Sequence, residues 1–239
     1  MFTKSKKLLT FCWLLLLAFL LVSCQNPAQK PEKSREEPTI TLYINETGQI
    51  QEMKLEEYLK GVVAAEMNPD WPIEALKAQA ILARTFTLKK IEEGGVKARG
   101  TDASTSVEEF QAYDASRIND HVAQAVAETR GVVVTYQDRY INAWFFADGG
   151  GITSASAAEG LAFSNEPTPY IKSVKDPGWE ITEEENRHWT ASFPLEQVRK
   201  AVLEVTGQDI GQPSSATIVE KGPSGRATKV KIGQITVEA

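Results

Sequence analysis

Cysteine is nearly absent from this chain. Two occur in 239 residues, Cys12 and Cys24, both close to the N-terminus. The remaining sequence, from residue 25 to the end, has none. That excludes disulfides and thiolate metal sites from the folded part. Histidine is as scarce. His121 and His188 are far apart and lack partners at metal-ligand spacing, so no metal and no cofactor are expected. Positive charge is also short: 26 Lys and Arg face 32 Asp and Glu, a net charge of -6. No basic footprint suggests nucleic acid. No repeat of fixed period is visible, and the long apolar run is confined to the start.

That run belongs to a leader. Lys4, Lys6 and Lys7 precede "LLTFCWLLLLAFLLVS", and Cys24 follows directly after small Ser23. Residues 1–23 read as a secretory signal. A cysteine placed there matches the lipobox of bacterial lipoproteins, in which the thiol of Cys24 carries lipid and becomes the mature N-terminus. The competing reading is an uncleaved membrane anchor, since the run is nearly long enough to span. Residues 24–38 contain "QNPAQKPEKSREEP", polar and Pro-containing, and read as a flexible tether. The expected location is extracytoplasmic, at a membrane through the lipid. Removing the leader makes the chain still more acidic, which argues against a polybasic grip on anionic lipid.

Residues 39–239 read as a single α+β domain, helices packed on mixed or antiparallel β-hairpins. "TITLYIN" alternates Ile40, Leu42 and Ile44 on one strand face, and "ETGQIQEM" reads as a turn leading out. Leu55, Tyr58, Leu59, Val62 and Val63 form a helical stripe that "NPDWP" ends. A second helix is predicted over 73–91 and a short one over 121–131. "VVVTYQDRYINAWFFA" (132–147) reads as a hairpin turning at Gln137 to Arg139. "SASAAEGLAFSNEPTPY" reads as loop and short turns. A last helix is predicted over 194–207, with Leu195, Val198, Val202 and Val205 on one face. A hairpin around "GPSGR" ends the chain.

Within "VVAAEM" sits one carboxylate, Glu66. It lies eleven positions after Leu55, and at 100° per residue this is within about 20° of three full turns. Glu66 therefore shares the face of Leu55, Leu59 and Val62. A carboxylate on a packed face is costly unless it is paired or lines a cleft. Burial favours the neutral form of a carboxyl, the form a general acid needs. The bland reading leaves Glu66 in water or in a salt bridge. On the second helix Lys77, Ile81, Arg84 and Leu88 share a stripe. Lys77 and Arg84 either snorkel from it, or Arg84 braces a carboxylate or a strand crossing. Trp71, close to Glu66, is the best-placed tryptophan for stacking a sugar. Trp144, Trp179 and Trp189 carry the same alternative of burial or stacking.

"LEEYLKGVVAAEMNPDWPIEALKAQAILARTFTL" resembles the opening motif of the stage II sporulation protein D family, the SpoIID/LytB domain. "AVAETRGVVVTYQDRYINAWFF", the following "GG", "AAEG" and "PYIKSV" continue the likeness through about residue 175. The resemblance implies an extracytoplasmic protein of the cell wall. Sporulation members are similar to lytic transglycosylases that cut peptidoglycan glycan strands into 1,6-anhydro products, and their catalytic glutamate falls on Glu66. LytB-like relatives are described as enhancers of cell-wall amidases, so a non-catalytic partner of an amidase is the alternative. Trp71, Lys77, Arg84, Gly149, Gly150 and Gly151 are the positions expected to meet the substrate. Glycines there would let a glycan approach the backbone.

The chain departs from the family in two places. Relatives often carry a His-Cys pair just before "QAY", and some bind zinc there; here Glu109 and Phe110 take those positions. Many have a serine-rich segment before the Gly pair, where this chain has Phe146, Ala147 and Asp148. Asp148 is expected to be a turn residue or a second polar group in the cleft.

Overall fold

Ile40 and Leu42 point inward from the first strand, β1 (Thr39–Ile44), and both are enclosed. The computed structural model describes residues 37–182, 184–188 and 190–239, apart from the side chains of Trp179, Glu185 and Asn186. The expected signal over 1–23, the lipidation site Cys24, all of the tether but its last two residues, and Trp189 lie outside the described residues. Residues Thr39–Ala239 make one unit.

β1 pairs antiparallel with β2 (Gln49–Lys54), from Thr39 opposite Lys54 to Ile44 opposite Gln49. The expectation of a plain turn over 46–53 is therefore corrected. β2 is an edge strand with most side chains in water, so its main chain pairs without any apolar alternation to betray it. On the other side β1 runs parallel to the short β3 (Ala103–Ser104).

Helix α1 (Leu55–Glu66) follows β2 directly. Leu55, Tyr58, Leu59, Val62 and Val63 are all buried, as the stripe demands. Pro69 and Pro72 end it, and α2 (Ile73–Glu92) begins after Pro72. α3 (Asp120–Glu128) is capped by the Asn119 side chain, which accepts from the Val122 amide. The core joins these three helices to β1 through Leu59, Val62, Leu76, Ala80, Val122 and Val126.

The helices are also joined by a buried ion pair. Arg84 donates to Glu56 and to the carbonyls of Ala80, Val126 and Val132, and Glu56 accepts from the Gly131 amide. α1, α2 and the chain leaving α3 thus meet at one guanidinium.

The hairpin expected over 132–147 is shorter than its apolar residues suggest. Only β4 (Thr135–Tyr136) and β5 (Arg139–Tyr140) pair. Gln137 and Asp138 turn the chain with φ of 51° and 59°, the left-handed pair that a tight hairpin requires. Residues 141–147 then run as irregular chain. The stretch expected as loop holds α4 (Ala157–Leu161), capped by Ser156. Short α5 (Gly178–Ile181) and α6 (Glu184–Arg187) follow.

α7 (Leu195–Thr206) ends at Gly207, whose φ of 71° gives the left-handed cap. Of its predicted apolar face only Val202 is buried, and Val205 is 80% exposed. β6 (Ala216–Lys221), β7 (Ala227–Ile232) and β8 (Ile235–Glu238) form an antiparallel sheet, one strand more than the expected hairpin. Glu159 ties this sheet to α4: its carboxylate accepts from the amides of Ala155 and Ser224 and from the Ser224 hydroxyl. The architecture is α+β, helices with several small sheets. No helix among the described residues is long and apolar enough to cross a membrane.

Candidate functional site

Glu66 is the last residue of α1 and is half-buried. Its Oε1 accepts a hydrogen bond from the Ala112 amide at 3.0 Å. It makes no other hydrogen bond or ion pair with the described residues, so Oε2 is uncommitted. Arg117 caps the end of the same helix, donating to the carbonyls of Ala65 and Met67 at 3.4 Å each. The acid stands on a rigid support, with one oxygen held.

The support is aromatic on one side. Tyr113 stacks on Tyr58, rings 5.7 Å apart and 5° from parallel. Gly61 makes the stack possible, because a Cβ there would come within 2.3 Å of the Tyr113 ring. Burial pushes the Tyr58 hydroxyl pKa far up; the Gln111 side chain opposes this, nearby Tyr113 and Glu66 add to it, and Tyr58 stays neutral. Phe110 packs edge-on to Phe86 and tilts against Tyr58.

The place where some relatives hold zinc is built differently here. Both Glu109 oxygens are taken, by Arg99 Nε at 2.9 Å and by the Ser104 hydroxyl at 2.8 Å. Phe110 offers no donor. One engaged carboxylate without an imidazole or thiolate does not fit zinc. Among the described residues no group of three or more His, Cys, Asp or Glu could hold a metal ion.

The other sequence candidates fall in different places. Trp71 is 50% exposed in the loop leaving α1. Asn119 steadies that loop by donating to the Pro69 carbonyl and the Asp70 carboxylate. Lys77 pairs with Glu74 at 2.8 Å and with Glu128 at 2.5 Å, linking α2 to α3. Hydrogen bonds from Lys77 to Glu128 and Glu74 raise its pKa. Arg84 has no exposed surface and is committed to Glu56, so any part it takes in binding acts through the frame.

Gly149 lines a pocket of about 470 Å³, together with Trp144, Phe146, Tyr170, Lys172 and Arg226 among others. Glu66, Trp71 and Lys77 are not in its wall, nor are Gly150 and Gly151. The glycines serve a tight turn. Gly150 and Gly151 have φ of 65° and 91°, and a Cβ on Gly149 would come within 2.6 Å of Asp176 Oδ2. The Gly149 amide donates to Asp176, and its carbonyl accepts from Arg226. Asp148 turns the chain, accepting from the Gly150 amide at 2.6 Å and from the Thr182 hydroxyl at 3.1 Å, and it also lines the pocket. The Ala112 amide and Arg226 were not singled out in the sequence. A backbone donor has no sequence signature, and Arg226 reaches Gly149 from a distant hairpin.

The α+β frame agrees with comparison to known proteins. Residues 43–136 match the SpoIID family, "Stage II sporulation protein". The chain carries a SpoIID domain. It is similar to stage II sporulation protein D of Bacillus amyloliquefaciens, 31% identical over 198 residues, 77% of this chain and 56% of that one. Similarity to stage II sporulation protein D of Bacillus subtilis (strain 168) is 29% over 238 residues, 89% and 67% of the two chains. An amidase enhancer of the same organism is 32% identical over 183 residues, 74% of this chain and 24% of its own. The chain thus spans about half the length of the first of these relatives and a quarter of the last.

Proposed function

We propose that this chain acts on peptidoglycan outside the cell, as a lytic transglycosylase whose acid and base is Glu66. The observation that carries the reading is the state of that carboxyl. It is half-buried at the end of a packed helix and, among the described residues, outside any salt bridge, with one oxygen held by an amide and the other uncommitted. A closed ion pair, such as Arg84 with Glu56, could not take up and release a proton in this way.

One carboxyl is enough for this chemistry. Ordinary glycosidases use two, one of them to activate water or to attack the sugar. Here protonated Glu66 gives its proton to the glycosidic oxygen as the bond from C1 of N-acetylmuramic acid breaks. The carboxylate left behind takes the proton of the sugar's own C6 hydroxyl. O6 then closes on C1, giving the 1,6-anhydro ring and restoring the acid. Trp71 offers an exposed aromatic face near the end of the helix that carries the acid. The pocket beside Gly149 offers aromatic walls, with Lys172, Arg226 and Asp148, to a further part of the strand. Attachment through a lipid on Cys24 would hold the domain at the outer membrane surface.

The likeness to an amidase enhancer supports a second reading, a non-catalytic partner of a cell-wall amidase. Incubating glycan strands with the chain alone, and intact wall with an amidase plus or minus the chain, separates the two. Anhydro-ended fragments from the chain alone support catalysis. Faster amide cleavage without any glycan cleavage supports the partner role.

A further inference from the structure

Ala112 lies in an irregular stretch, yet its amide must be aimed if it is to hold Glu66. The main chain there is fixed from both sides. After it, the Asp114 amide donates to the Gly61 carbonyl on α1, and Tyr113 stacks on Tyr58. Before it stands Gln111, only 5% exposed, whose Nε2 donates to the Thr87 hydroxyl on α2 at 3.0 Å. Thr87 is itself fixed, donating to the Ala83 carbonyl at 2.8 Å.

Gln111 is buried between two helices. Its Oε1 lies beside the buried Tyr58 hydroxyl on α1, which it influences although the two do not meet in close hydrogen-bond geometry. The gain from keeping the amide is directional: one hydrogen bond to α2 sets the rotation of the chain just before Ala112.

We propose that Gln111 is a positioning residue for Glu66. By anchoring on Thr87 it aims the Ala112 amide at Oε1, and this leaves Oε2 as the oxygen that gives and takes the proton. The inference rests on reading Glu66 as the acid and base. In the first half of the reaction the Oε2–H bond breaks and the proton goes to the glycosidic oxygen. In the second half the C6 hydroxyl proton returns to Oε2. A carboxyl free to rotate would present either oxygen, or neither.

The test uses the full chain. Thr87→Val keeps the shape and removes the anchor, and Thr87→Ser restores the hydroxyl. Gln111→Met removes the anchor from the other side. The Ala112 amide proton, followed by NMR against pH, should track protonation of Glu66 in the wild type and stop doing so in Glu66→Gln. It should also stop in Thr87→Val and Gln111→Met, and persist in Thr87→Ser. Misaimed acids cost about 10²-fold, so kcat on glycan strands should fall by that order in the Val and Met variants. KM should hold, and Thr87→Ser should keep its rate. Combining Thr87→Val with Gln111→Met should add no further loss, because both cut one link.

If the amide still tracks Glu66 in Thr87→Val, the anchor does not aim it and the proposal fails, whatever the rates do. An equal loss of rate in Thr87→Ser would also overturn it, by showing a packing effect instead. A wild type that cleaves no glycan defeats the acid–base reading alone, and the amide signal still decides whether Gln111 positions the carboxyl.

Discussion

Arg84 and Glu56 meet in a two-point ion pair, Nε to Oε1 at 3.0 Å and Nη2 to Oε2 at 2.6 Å, with both side chains enclosed. It fixes α1 against α2 and so sets where Glu66, at the far end of α1, will stand. Removing one partner of such a pair strands a buried charge and costs about 3–5 kcal/mol. Arg84→Met should therefore lower unfolding stability in urea by about that amount. Arg84→Met with Glu56→Leu should lose less than Arg84→Met alone, since no charge is then left unpaired. Equal losses would show that the carbonyl contacts of Arg84, not the pair, carry its effect.

Gly61→Ala should be destabilising although alanine favours helices by about 1 kcal/mol. The new methyl would meet the Tyr113 ring at 2.3 Å. Overpacking of this kind costs about 1–3 kcal/mol, and moving the ring disturbs the chain next to Ala112. Thermal unfolding together with the cleavage rate tests this. A more stable, fully active Gly61→Ala would mean that the Tyr58–Tyr113 stack gives way freely.

Much of this frame could be read in the sequence, and the reasons are local. The stripe from Leu55 to Val63 marks α1, because burial on one face forces the helical period. Gln137 and Asp138 mark the turn of the hairpin. β2 escaped because a solvated edge strand needs no apolar alternation. The stretch from Val132 to Phe146 suggested long strands, but residues 141–147 spend their apolar side chains largely on a pocket wall rather than on pairing. Helical phase and family likeness single out Glu66 as a candidate. What holds it could not be found so, since the Ala112 amide and its anchor from Gln111 to Thr87 arise from contacts distant in sequence.

The C-terminal sheet should loosen in acid. Burial opposes charge on Glu159, but hydrogen bonds from Ala155 and Ser224, with Arg226 nearby, outweigh it and hold its pKa below the usual 4.5. A depressed carboxyl contributes stability above its ordinary pKa, and that contribution fades as pH falls through the lower folded value. Protection of the amides of residues 222–226 against hydrogen exchange, relative to the unfolded chain at the same pH, should therefore fall below about pH 4.5 in the wild type. In Glu159→Gln protection should be lower at neutral pH and less sensitive to acid. Identical profiles would show that the Glu159 contacts do not hold this turn.

Trp71→Ala should leave stability within about 0.5 kcal/mol, as expected of an exposed side chain away from the core. If the indole stacks a sugar, binding of glycan strands should weaken by about 1 kcal/mol or somewhat more. That appears as a higher KM with kcat less affected. An unchanged KM would remove Trp71 from the substrate path.

The most direct measurement is the mass of the products released from denuded glycan strands by the wild type and by Glu66→Gln. The substitution keeps the shape of the side chain and can still accept from the Ala112 amide, but it cannot exchange the proton. Placed acid–base groups contribute about 10²–10⁴-fold, so glycan cleavage should all but vanish in the variant while the fold persists. The wild type should release anhydro-ended fragments, lighter by one water than hydrolysis products. Hydrolysed ends, no fragments from the wild type, or an equally active Glu66→Gln would contradict the assignment of Glu66 as acid and base.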